Sequence, residues 1–155
     1  MLMRKPFSIV LGLGVAALLA AQLVQPERTN PPSDPTASFE AIAAPPHQVS
    51  ASLRRACGDC HSNQTNWPWY SRISPVSWFI ANDVHDGRTH LNLSAWKQPG
   101  QPQETPEVGE LCTEVKAGKM PPRSYTWLHS ANLLSDSEIA ALCALPFAEP
   151  AAATE

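Results

Sequence analysis

Cys57-Gly58-Asp59-Cys60-His61 decides how this chain is read. Two thiols three positions apart, followed at once by an imidazole, form the C-x-x-C-H arrangement that attaches a c-type haem. Each thiol can add to one vinyl group of the same porphyrin, and His61 then supplies the proximal nitrogen to the iron. Two other chemistries use paired cysteines. A thioredoxin-like dithiol needs a βαβ setting, and no strand pattern of that kind is visible. Zinc needs further close ligands, whereas Cys112 and Cys143 stand alone in the chain. The expectation is one covalent haem c per chain, held by Cys57, Cys60 and His61.

A six-coordinate haem also needs a ligand on the face opposite His61. Met120 is the first choice, because Gly118-Lys119-Met120-Pro121-Pro122 is a stiff loop just past a predicted helix end. A thioether opposite histidine stabilises ferrous iron and raises the reduction potential. The alternatives are His129 and His85, then His90 and His47; a histidine there would give a lower potential.

Working outward, the pattern predicts an all-α fold: a small cytochrome c-like domain of about four short helices around the haem. Val49, Leu53 and Ala56 recur at helical spacing and lead straight into Cys57. Ser74-Pro75 reads as a cap with proline at the first helical position, after which Val76, Phe79, Ile80 and Val84 line one face until Gly87. Thr105-Pro106 repeats that start, with Leu111, Cys112 and Val115 inward and Gly118 as the stop. Ser135 and Glu138 form a capping box ahead of Ile139, Leu142 and Cys143, and Pro146 ends that helix.

Four segments follow: residues 1–24 as signal peptide or signal anchor, 25–46 as a Pro-rich linker or extended arm, 47–147 as the haem-binding domain, and 148–155 as a frayed tail. Arg4 and Lys5 precede an uncharged apolar run over residues 7–24, near the lower length limit of a membrane span. Positive charge stays on the cytoplasmic side, so the rest of the chain is expected in the periplasm. No small-x-small cleavage site is visible around Ala20, so an anchor in the inner membrane is preferred over a cleaved signal peptide. Haem attachment outside the cytoplasm agrees with this compartment. The formal net charge of -3 and the lack of a basic block argue against nucleic acid as partner.

Five tryptophans suit the two flat apolar faces of a porphyrin, although plain core packing is the commoner role for any one of them. An indole N–H, Arg72 or Arg88 is a candidate partner for a haem propionate. Cys112 and Cys143 each fall on the apolar face of a predicted helix in an oxidising compartment, so a disulfide is expected.

Several segments recur in a known order. They are Arg28-Thr29-Asn30-Pro31-Pro32, Cys57-x-x-Cys60-His61-Ser62-Asn63, Trp67-Pro68-Trp69-Tyr70-Ser71, Pro75-Val76-Ser77-Trp78 and Gly87-Arg88. Asn92-x-Ser94-x-Trp96, Met120-Pro121-Pro122, Tyr125, His129 and Leu134-Ser135-x-x-Glu138 complete the series. In this order residues 28–145 resemble the bacterial haem-binding domain family of c-type cytochrome-like proteins. The resemblance implies a covalent haem c, a short N-terminal membrane segment and a cell-envelope location. The expected role is single-electron transfer between redox partner proteins in the periplasm or inner membrane, not catalysis. The other readings are a haem-based redox or gas sensor with a displaceable distal ligand, and a peroxidase-like enzyme using His85 or His129 as distal acid–base group.

Overall fold

A computed structural model describes residues 4–96 and 108–145. Among these the chain is all-helical, with eight α-helices and no strand: α1 (Arg4–Ala21), α2 (Phe39–Ala43), α3 (His47–Ala56), α4 (Gly58–His61), α5 (Val76–His90), α6 (Val108–Lys116), α7 (Arg123–Leu128) and α8 (Asp136–Cys143). The expected helices correspond to α3, α5, α6 and α8. The shorter α2, α4 and α7 were not anticipated, since one or two turns carry too few residues to show a periodicity. The Thr105-Pro106 start, Pro146 and the tail 148–155 lie outside the described residues.

The termini follow local chemistry. Ser135 accepts from the Glu138 N–H while the Glu138 carboxylate accepts from the Ser135 N–H, the reciprocal cap expected for α8. Gly118, at φ +67°, ends the turn after α6 in a conformation that costs glycine little.

One helix departs from its pattern. Val84 of α5 is buried as expected, but Val76 is 43% and Phe79 68% exposed. The buried positions are Ser77, Val84 and Gly87, so the helix packs through small residues and turns larger apolar ones outward. It also continues beyond Gly87 to His90.

The core is a cluster of Phe39, Val49, Leu53, Cys112, Leu142 and Leu145. Phe39 is a correction to the arm reading of residues 25–46: after an extended stretch the arm folds into α2 and inserts this ring into the core. A Cys112–Cys143 disulfide joins α6 to α8. Between those helices the chain runs out through Met120 and returns through α7.

The expected membrane span is not borne out among the described residues. No helix among the described residues is long and apolar enough to cross a membrane. At about 1.5 Å per residue, the 18 residues of α1 extend about 27 Å, short of a hydrocarbon core of about 30 Å. The helix is nonetheless apolar on all sides, with Ile9, Val10, Leu11 and Leu13 all more than half exposed. Gln22, just past its end, is tied to Ser74 by a reciprocal pair: its Nε2 donates to Ser74 O at 2.9 Å, and Ser74 N donates to its Oε1 at 3.1 Å.

Candidate functional site

Cys57 closes α3 and opens α4. Its N–H donates to Leu53 O, and its own carbonyl accepts from Cys60 N at 3.2 Å and His61 N at 2.9 Å. Cys57, Cys60 and His61 therefore stand at i, i+3 and i+4 of one new turn, on one face. All three line a cavity of about 370 Å³, to which Met120, Leu91 and Tyr125 also contribute. That volume falls among ligand pockets, which run from about 300 to 1,000 Å³. Met120, 59 positions beyond His61, is brought to this cavity by the Cys112–Cys143 pairing and the loop that follows α6.

The imidazole is fixed from two directions. His61 Nδ1–H donates to Leu91 O at 3.1 Å, and His61 O accepts from Leu93 N at 2.8 Å. With Nδ1 so engaged, Nε2 keeps its lone pair for an acceptor in the cavity. Burial holds the His61 pKa below its ordinary value, so the ring is neutral and able to ligate. The grip continues outward, because Leu93 O accepts from Phe39 N at 2.9 Å. The core anchor of the arm thus steadies the ligand.

Burial pushes the Cys57 thiol up to about 12 and the Cys60 thiol up to about 11, with Asp83 and Asp59 adding to the latter. Reactive dithiols and zinc thiolates require the opposite shift. These are two unpaired, unionised sulfurs facing one cavity. Among the described residues no group of three or more His, Cys, Asp or Glu side chains is placed to hold a metal ion. The residues fit a porphyrin better than zinc or dithiol exchange: two neutral thiols, a neutral imidazole and a thioether around one cavity.

Helix α5 presses on this turn closely. A Cβ at Gly87 would sit 2.6 Å from Cys60 O, so only glycine lets the two helices meet. The sequence marked Gly87 as a helix stop and missed this contact.

The competing ligands are placed elsewhere, with one exception. His85 and His129 do not line the cavity, whereas His90 does, its Nδ1–H donating to Asp86 O. His129 Nδ1–H donates to Tyr125 O at 3.0 Å, and its Nε2 accepts from Tyr70 O–H at 3.1 Å. Its ring also stacks on Tyr125 with centroids 4.4 Å apart. His47 opens α3 and is likewise absent from the lining.

The tryptophans and the two arginines are engaged away from the cavity lining. None of the five tryptophans lines the cavity. Trp67 donates to Asn30 Oδ1 and Trp78 to Val24 O, both on the N-terminal arm. Trp96 packs edge-on to Phe39, while Trp69 and Trp127 are 75% and 84% exposed. Arg88 clamps the arm instead of facing the cavity: it donates to Ser62 O, Thr29 O, Asn30 Oδ1 and Thr65 Oγ1. Arg72 does not reach the cavity either.

What the cavity does carry is acid. Asp59, Asp83, Asp86, Glu110 and Glu114 all contribute to its wall. Burial, reinforced by Asp86, raises the Asp83 pKa. Asp59 accepts from Tyr125 O–H at 2.7 Å and from Asn66 N at 3.0 Å. Sequence reasoning had no signal for this pairing, because Asp59 and Tyr125 are 66 positions apart.

A family model described as Haem-binding domain matches residues 16–145. No curated protein and no solved structure matches the chain.

Proposed function

Because the chain belongs to the haem-binding domain family and so binds haem, we propose that it holds one haem c covalently through Cys57 and Cys60 and serves as a single-electron carrier. Convergence of Cys57, Cys60, His61 and Met120 on one cavity carries this reading. Bound there, the haem supplies reversible one-electron chemistry at iron. His61, oriented by Leu91 O, and Met120 would be the residues that hold the iron. Neutral thiols suit thioether formation, and a buried imidazole keeps the proximal side dry. The wall of Leu91, Ala56 and Tyr125 limits solvent access, and the carboxylates favour the ferric, more positive state.

The N-terminal segment directs export, and α1 holds the domain at the periplasmic face of the inner membrane. Redox partner proteins then meet the acidic rim of the cavity. A redox or gas sensor would instead need a distal ligand that an external ligand displaces. A peroxidase-like role has no distal base in His85 or His129, which stand away from the cavity.

Optical spectroscopy of matured protein and of Met120→Ala tests the assignment. Wild type shows the far-red sulfur–iron band when oxidised, and the variant loses it and drops in potential. An unchanged spectrum in the variant removes Met120 as ligand. Rapid displacement by carbon monoxide in ferrous wild type selects the sensor.

A further inference from the structure

We infer that the exposed apolar face around Ser74 seats on an anionic phospholipid surface, so that the domain lies on the bilayer in one orientation instead of swinging from α1. The inference rests on the membrane association of α1 proposed above and adds the domain's own contact surface.

Trp69, Ile73, Val76, Trp78 and Phe79 are 75%, 45%, 43%, 40% and 68% exposed, and all fall within eleven residues. A helix pattern normally turns such side chains inward; here Ser71, Ser74 and Ser77 take the buried places. Five large apolar groups left in water at one end of a small domain mark a contact surface.

The connection to α1 identifies the occupant. Gln22 and Gln25 both bond Ser74, and Trp78 Nε1 donates to Val24 O at 2.7 Å. The apolar helix therefore leaves the domain beside Ser74 and Trp78, through Leu23 and Val24, which are 87% and 65% exposed. Whatever apolar medium receives α1 is continuous with the face.

Charge agrees with a lipid surface. Residues 67–82 contain one charged side chain, Arg72, and no carboxylate. Indoles beside an arginine suit the headgroup layer, where an apolar body and a polar tip are both satisfied. The acids line the cavity. Exposed Phe79 and cavity-lining Asp83 lie one turn apart on α5.

Hydroxyl-radical oxidation read by mass spectrometry tests this on the full-length holoprotein, with and without phosphatidylglycerol-containing vesicles. The vesicles should float the protein and cut oxidation of Trp69 and Phe79 several-fold, leaving His85 further along α5 as reactive as in solution. A double variant, Trp69→Glu with Phe79→Glu, should still float through α1 but restore oxidation at Ile73 and Trp78. Flotation with Trp69 and Phe79 as reactive as in solution overturns the seating while sparing the membrane association. Failure to float overturns both. Protection that appears without vesicles and grows with protein concentration assigns the face to a second copy of the chain, and also overturns the inference.

Discussion

Replacing Gly87 by alanine sets two known effects against each other at the contact that builds the site. In the interior of α5 alanine is favoured over glycine by about 1 kcal/mol. The added Cβ, however, would meet Cys60 O at 2.6 Å, Cys60 C at 3.0 Å and Cys60 Cβ at 3.1 Å. Two of these atoms are backbone and cannot rotate away, so α4 has to retreat by about 0.8 Å to reach ordinary contact at 3.4 Å. Overpacking a close contact costs about 1–3 kcal/mol. With backbone as the obstacle the upper end applies, leaving a net loss of about 2 kcal/mol. For a domain of roughly 100 residues that lowers Tm by about 10 °C.

The retreat would also shift Cys60 and His61 against Met120, so the yield of covalently attached haem should fall with the stability. Thermal unfolding by circular dichroism, with haem stain per unit protein, measures both. Gly58→Ala is the control: it lies in the same turn, but its Cβ would find nothing nearer than Leu53 O at 4.0 Å. A Gly87→Ala protein as stable as wild type and fully loaded would refute the close approach of α5 to α4.

Other outcomes follow from the same contacts. Breaking the Cys112–Cys143 bridge with Cys143→Ser opens a loop spanning 31 positions, a loss of about 3.7 kcal/mol in the chain-entropy model, read by denaturant unfolding. Alkylation of unfolded, unreduced holoprotein should label no cysteine. Hydrogen bonds from Ser135, Ser52 and Arg55 hold the Glu138 pKa down to about 2, from an ordinary 4.5. Because the folded value is the lower one, this stabilisation is complete above pH 4.5 and is lost as pH falls toward 2. Glu138→Gln should remove that acid-side slope, and an unaltered stability–pH curve would contradict the cap. Tyr125→Phe deletes the donor to Asp59 and should cost about 1.5–3 kcal/mol, the worth of a hydrogen bond to a charged group. A neutral result would mean water replaces the phenol.

Much of the site was legible because its chemistry is local. Cys57, Cys60 and His61 share one turn whatever surrounds them, and the Ser135–Glu138 box and the Gly118 stop each depend on neighbours a few positions away. The Cys112–Cys143 pair was readable from two apolar helix faces. Met120 was singled out by its proline-braced loop, and the structure brings it to the cavity wall with Cys57, Cys60 and His61. The placement of the tryptophans was not legible, because bulk and flatness describe what a ring can cover, not where the fold sends it.

The residues along the chain were enough to name haem as the cofactor, the all-helical class, the N-terminal cap of α8 and the turn after α6. Folding settled the rest: which face of α5 meets water, the Leu91 carbonyl that orients His61, the Arg88 clamp on the arm, and the Asp59–Tyr125 bond. The last three depend on partners 30 to 66 positions apart. A serine or glycine stripe that lets two backbones touch can outweigh the burial of a Phe or Trp, and hydrophobic periodicity carries no record of that competition.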